Sequence, residues 1–239
     1  MDLNDDSLKG TPHRVAKMFV QEIFSGLNPA NKPKISVFDN SYHYDKMLVE
    51  ANISFNSTCE HHFEIIMNEL GLDLNDDSLQ GTPHRVAKMF VQEIFSGLNP
   101  ANKPKVSVFD NSYHYDKMLV EANISFNSTC EHHFLPIVGK AHVGYVSSGK
   151  VIGLSKLNRI VDYYARRPQV QERMVMQIFN ELKTVLETDN VMIVMEAEHL
   201  CVSSRGIKDE SSFTSTLQYG GVFNQKEFRD DFYKLIQRS

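Results

Sequence analysis

The chain has 239 residues, 41% hydrophobic and 23% charged, with a formal net charge of −5; such a composition is that of a globular domain able to bury roughly 70% of its unfolded surface. No apolar run approaches the ~20 residues that span a bilayer, and the opening Met1-Asp2-Leu3-Asn4-Asp5-Asp6 lacks the positive start and apolar core of a secretory signal, so the expectation is a cytoplasmic protein with no membrane partner. The acidic balance argues against nucleic acid as a partner, because that mode of capture needs a basic surface, and three cysteines, Cys59, Cys130 and Cys201, are too few and too widely spaced for a disulfide framework.

Residues 2 to 63 recur at 73 to 134 with a constant offset of 71, differing only at Lys9 against Gln80 and Ile35 against Val106. Two copies with nothing repeated after Phe134 do not make a solenoid, which needs about three or more units to bury a continuous core. The extra copy reads as a recent or artificial duplication.

Within each copy the pattern predicts one helix and one strand. In the second, Thr82 is a candidate cap, Pro83 suits the first helical position, and Val86, Met89, Phe90 and Phe95 recur at helical spacing up to Gly97. From Met118 to Asn127 the period changes to two, with Val120, Ala122, Ile124 and Phe126 on one face. The partner for this strand is Ile137 to Val146, which follows only the second copy. The first copy instead runs into Phe63, Ile66, Met67 and Leu70, a short amphipathic helix closed by Gly71.

Farther along, Ser155 is read as the cap of a helix bearing Leu157, Ile160, Val161 and Tyr164. Pro168 is read as opening a second helix, with Val170, Met174, Ile178, Phe179, Leu182 and Leu186. Val191 to Val202 returns to strand spacing, which would point His199 and Cys201 the same way. Residues 64 to 239 are therefore expected to form an α+β domain, with a mainly antiparallel sheet and helices on one side.

The chemistry gathers in two places. Cys130-Glu131-His132-His133 sets a thiolate and an imidazole three residues apart, and Cys201 can add a second thiolate. Zinc suits such ligands, and three of them leave a fourth tetrahedral position for water. Spacing alone leaves open that His132 and His199 are merely satisfied or exposed histidines. Gly153-Leu154-Ser155-Lys156-Leu157-Asn158-Arg159 puts backbone N–H groups and two cations at a helix start, an arrangement that favours phosphate. Gly144-Tyr145-Val146-Ser147-Ser148-Gly149-Lys150 imitates the opening of a P-loop, but Val151 stands where a magnesium-binding hydroxyl belongs and Ser147-Ser148-Gly149 reads as a hairpin turn.

Several of these segments together resemble the GTP cyclohydrolase I family: Thr82-Pro83-His84-Arg85, Asn127 through Phe134, Gly153-Leu154-Ser155-Lys156, Arg167 through Arg173, His199-Leu200-Cys201 and Ser204-Arg205-Gly206, in order over residues 64 to 239. The resemblance implies Cys130, His133 and Cys201 as ligands of Zn2+, and His132 and His199 as catalytic histidines beside the purine. It implies Gln171 and Glu172 as guanine-binding residues, with Arg85, Ser155, Lys156, Arg159 and Arg205 holding the triphosphate. The implied reaction is zinc-dependent conversion of GTP and water to 7,8-dihydroneopterin triphosphate and formate, the first step of tetrahydrofolate and pterin biosynthesis. The implied architecture is the tunnelling fold, an antiparallel sheet with two crossover helices, preceded by an N-terminal helical segment and self-associating as a homodecamer. Residues 1 to 63 depart from that pattern: they hold Arg14, Cys59, His61 and His62 but no counterpart of Lys156, Glu172, His199 or Cys201, so they are a partial duplicate and not a second catalytic domain. The alternatives are another tunnelling-fold pterin or purine enzyme, or an inactive zinc-binding regulatory homologue.

Overall fold

The computed structural model describes residues 11–24 and 61–237, which fall in two compact units, 11–24 with 61–93, and 94–237. The strand expected around Met47 to Asn56 and the thiol of Cys59 lie outside the described residues.

The first unit is helical. Helix α1 (Thr11–Met18) runs into a π-helical turn, Phe19–Ile23. Helix α2 (His61–Glu69) buries Met67 and is stopped by Gly71, whose φ of 71° suits a residue with no Cβ. Helix α3 (Thr82–Lys88) repeats the sequence of α1 and passes into a second π turn, Met89–Ile94. Thr82 is not the cap. That place belongs to Gly81, in the left-handed region, and Thr82 is already helical.

The second unit is built on a five-stranded sheet in the order β5 (Pro168–Gln169), β2 (Met118–Cys130), β3 (Pro136–Val146), β6 (Val191–His199), β7 (Thr214–Tyr219). Every pairing is antiparallel except β2 with β5. The β2–β3 pairing is the one expected from sequence. Its alternation is broken, however, by a bulge between Glu121 and Ile124, where Asn123 takes a φ of 59° and its N–H donates to His142 Nδ1 at 3.3 Å. The bulge gives β2 an extra twist before it delivers Cys130. A separate ribbon pairs β1 (Val108–Asp110) with β4 (Lys150–Ile152). Ser147-Ser148-Gly149 is therefore not a hairpin turn: it joins β3 to a strand that pairs with β1.

Helices α4 (Leu154–Ala165) and α5 (Gln171–Leu186) cover one face of the sheet. Two expectations are corrected here. Gly153, not Ser155, stands before α4, and Ser155 makes no capping bond. Pro168 opens no helix; it pairs in parallel with Thr129, and α5 begins at Gln171. Helices do not stay on one side either. Val191, Ile193, Met195 and Ala197 of β6 enter the main core. Met192 and Val194 turn the other way, into a second core with Phe223 and with Phe232 of α7 (Lys226–Ile236). A strand covered on both faces reads as an unbroken apolar run. Gly144 admits α7, since a Cβ there would sit 2.6 Å from the Phe232 ring.

Candidate metal centre and its surroundings

Strand β2 ends at Cys130, and the chain turns at once. Phe134 N–H donates back to the Cys130 carbonyl at 2.8 Å, and Cys130 N–H to the Leu135 carbonyl at 2.8 Å. Phe134 accepts a φ of 56° to close the turn. The neighbouring segment holds the turn from outside. Glu131 N–H donates to the Gln169 carbonyl at 3.0 Å, and the Glu131 carboxylate, fully buried, is paired with Arg173 of α5. Arg173 also donates to the Pro168 carbonyl and to Gln169 Oε1, both at 3.1 Å. The turn is thereby fixed to α5 by a charge-assisted pair with one carboxylate oxygen, Oε1, left without a hydrogen-bond partner.

Cys201 arrives from the far end of the sheet. Strand β6 stops at His199, and Cys201 lies in the single helical turn α6 (Leu200–Ser203), not on a continuing strand. That turn, rather than strand alternation, brings it to the Cys130 turn. The ligand atoms of Cys130, His133 and Cys201 all lie within 4.8 Å of one another. A tetrahedral zinc site sets its ligand atoms about 3.5–3.8 Å apart given metal–ligand bonds of about 2.0–2.3 Å, so a contraction of roughly one ångström would bring them to that spacing.

The donor set has the chemistry for a cation. Both thiols are free. The Cys201 thiol donates to Cys130 and, more than any other cause, holds the Cys130 thiol down at about 4 against the opposing effect of burial; backbone N–H groups of the turn and the His133 side chain add to the lowering. The same bond, with burial and the neighbouring negative charge, pushes Cys201 up. His133 Nδ1 is buried with no hydrogen-bond partner, a cost of about 1–3 kcal/mol that a metal bond would remove. Arg205 Nη1 lies 3.1 Å from His133 Nε2; a bond accepted there puts the ring hydrogen on Nδ1, so a metal held at Nδ1 would move that hydrogen to Nε2 and release the Arg205 contact. Soft thiolate and borderline imidazole therefore fit a metal ion, and nothing in the trio supplies a fourth ligand.

The other residues singled out in the sequence distribute around this trio unevenly. His132 Nδ1 is 3.8 Å from Cys130 Sγ, and its Nε2 is 4.0 Å from Glu131 Oε1. His199 ends β6 with Nε2 2.8 Å from Gln171 Oε1. Burial lowers its pKa, opposed by the charges of Cys130 and Glu172. Glu172 is exposed in the first turn of α5, whereas Gln171 is 1% exposed. Ser155 and Arg159 are exposed and Lys156 half-buried in the first turns of α4. Arg159 also lines a cleft of about 290 Å3 with Ser96, Asn102, Asp162 and Arg166. Arg85 belongs to the helical unit, where it donates to the Gln80 carbonyl and to Thr82 Oγ1. Sequence reasoning missed Arg173. The signal was Glu131 itself, a carboxylate beside a buried cysteine, which demands a cation.

A cysteine–histidine–cysteine group drawn from two distant chain segments, on an α+β frame, defines a protein with a group that could hold a metal ion. Comparison with known proteins narrows the class. The model of the family described as GTP cyclohydrolase I matches residues 1–68 and again 63–237, and the chain belongs to that family. It is 61% identical over 174 residues to a protein of Flavobacterium johnsoniae called GTP cyclohydrolase 1, covering 73% of this chain and 78% of that one. It is 54% identical over 180 residues to the protein of the same name from Aeromonas hydrophila, covering 75% and 83%. A solved structure of an apo archaeosine synthase, QueF-like, matches with a TM-score of 0.33 and 16% identity over 44% of this chain and 94% of that chain, a likeness that carries no argument. Among the described residues no helix is long and apolar enough to cross a membrane.

Proposed function

We propose that this chain converts GTP and water to 7,8-dihydroneopterin triphosphate and formate, as a zinc-dependent GTP cyclohydrolase I at the entry to tetrahydrofolate and pterin synthesis. The convergence of Cys130, His133 and Cys201 within 4.8 Å is the observation that carries the reading, and family membership gives it a substrate. When bound by these three residues, Zn2+ supplies a Lewis acid that makes water nucleophilic near neutral pH.

The remaining work falls to the chain's own side chains. His199 hands a proton to N7 as the imidazole ring of the purine opens at C8, and His132 serves as its partner while formate leaves and the new ring closes. A histidine suits this traffic because its ordinary pKa of ~6.5 lets it give and take protons near neutrality. Glu172, exposed beside His199, pairs with the guanine edge and rejects adenine, whose donors and acceptors are arranged differently. Ser155, Lys156, Arg159 and Arg205 bind the triphosphate, with Arg85 as a further cation. Arg205 is suited to the part nearest the metal, since its guanidinium lies against His133. The five-stranded sheet with α4 and α5 is proposed to be a tunnelling fold, residues 64 to 239 its catalytic domain, and the assembly a cytoplasmic homodecamer. Residues 1 to 63 stand outside the catalytic unit. The deciding experiment incubates the purified, zinc-assayed protein with GTP and measures formate and the fluorescent oxidised pterin. Stoichiometric zinc without either product would overturn the proposal.

A further inference from the structure

Gln171 occupies a position expected to read guanine, yet its side chain is already committed elsewhere. It is 1% exposed at the first residue of α5. Its Nε2 lies 3.0 Å from the Met195 carbonyl, 3.0 Å from the Thr214 carbonyl and 3.1 Å from Thr216 Oγ1. Two N–H bonds are thus shared among three oxygens on β6 and β7. Its Oε1 meets His199 Nε2 at 2.8 Å.

This surrounding removes the usual ambiguity of an amide. Turning Gln171 end for end would set its carbonyl oxygen against two backbone carbonyls and its N–H groups against the imidazole, losing at least two hydrogen bonds and adding repulsion. Oε1 therefore faces His199, and a carbonyl oxygen only accepts, so His199 Nε2 must carry a hydrogen. In the neutral ring the lone pair is then on Nδ1. In the cationic ring Nε2 is still tied to Gln171, and the hydrogen available for transfer is again the one on Nδ1. Sheet, helix and imidazole form one chain of dependence: β6 and β7 fix Gln171, and Gln171 fixes His199.

We propose that Gln171 is a positioning residue that holds His199 in its Nε2–H form, so that every proton His199 exchanges in the reaction passes through Nδ1. This rests on the GTP cyclohydrolase reading for what the proton is used for, but not for where the hydrogen sits. A role of this kind differs in its kinetics from recognition of guanine. Losing an orienting partner lowers kcat, because general acid–base assistance of about 10²–10⁴-fold depends on alignment, while losing a substrate contact raises KM.

Two measurements test it. Neutron diffraction from crystals of the unaltered zinc-loaded protein should show deuterium on His199 Nε2; a bare Nε2 with deuterium on Nδ1 alone would overturn the assignment. Gln171→Met keeps the volume and removes both bonding functions. With parental zinc content and secondary structure, it should lose at least about tenfold in kcat with KM for GTP changed less than about threefold, and ATP should still be refused. A raised KM at parental kcat, or acceptance of ATP, would return Gln171 to guanine recognition. If the unaltered protein released no formate from GTP the functional reading would fall, whereas the neutron result would stand or fail by itself.

Discussion

Residues 11–24 and 82–95 have the same sequence, as do 61–63 and 132–134, and the chain treats the two pairs in opposite ways. Thr11–Met18 and Thr82–Lys88 are both α-helices that slip into a π turn within one residue of the same place, at Phe19 in one copy and at Met89, the equivalent of Met18, in the other. Even a side-chain bond repeats: Arg14 donates to Thr11 Oγ1 at 2.8 Å and Arg85 to Thr82 Oγ1 at 2.6 Å. His61-His62-Phe63, by contrast, begins a helix, while His132-His133-Phe134 forms the turn of the candidate metal centre. A bond between residues three apart is specified locally. A turn that needs β3, β5 and Arg173 exists only where those partners follow in the chain. The helical pair also differs in what it buries, Thr11 and Met18 in one copy and Pro83 and Ala87 in the other, so sequence sets the helix and surroundings choose its face.

The sharpest way to break this comparison is to make the same substitution twice. Cys130→Ser should strip most bound zinc and lose far more GTP turnover than the roughly 10–100-fold that follows loss of an outer partner of a metal ligand; Cys59→Ser should change neither. Cys201→Ser, which has no twin, should behave like Cys130→Ser while circular dichroism stays near parental. Metal analysis and formate release read all three, and stoichiometric zinc in the Cys201 variant would sink the ligand assignment.

Glu131 and its twin Glu60 give the next contrast. Arg173→Met leaves a fully buried carboxylate without its cation, and breaking such a pair costs about 3–5 kcal/mol, so the urea midpoint should fall steeply. Glu60→Gln should leave it in place. An Arg173 variant as stable as the parent would show that the turn does not depend on this pair.

Arg205→Ala should weaken GTP binding by roughly 10–100-fold, the loss of a charge-assisted contact of about 1.5–3 kcal/mol, whereas Arg14→Ala should leave affinity unchanged. Equilibrium binding measured alongside zinc content decides it. Unchanged affinity in the Arg205 variant would remove that residue from the site.

The smallest effect concerns the bulge. Burial holds the pKa of His142 below its ordinary value, with Glu196 pulling it up and Lys140 pushing it down. The unfolded chain therefore binds the proton more readily than the folded one. The stabilisation is complete above about pH 6.5 and is lost as pH falls through the lowered folded value. Urea titrations from pH 8 to pH 5 should show a shallower decline for His142→Gln than for the parent; parallel curves would show that folding does not shift the pKa of this ring.

The comparison also explains what was legible beforehand. Strand pairing of β2 with β3 followed from period-two alternation next to a short connection, and the convergence of Cys130, His133 and Cys201 from soft ligands in motifs that agree in order. Pro168 misled because its fixed φ suits a helix start as well as an extended strand, and only the edge of β2 decides between them. Strand alternation reads on to Cys201 because nothing in the sequence stops it there: His199-Leu200-Cys201 carries neither glycine nor proline. The second core was invisible for a similar reason, since an apolar run buried on both faces has no periodicity to read. Gln171 could not have been assigned its partners from sequence, because they lie 24 to 45 positions away.

Phe63 is the last residue of the first copy, and its ring stacks on Phe90 of the second at 5.7 Å and 10°, while its twin Phe134 meets Phe95 edge-on at 5.3 Å. A deletion that restored a single copy by cutting after residue 63 would take three residues from the front of α2 and strip Phe90 of an aromatic neighbour worth about 0.5–1.5 kcal/mol beyond its buried area. A cut before His61 would not. The stacked pair straddles the repeat boundary, so a chain trimmed there would start out weaker than one trimmed before His61.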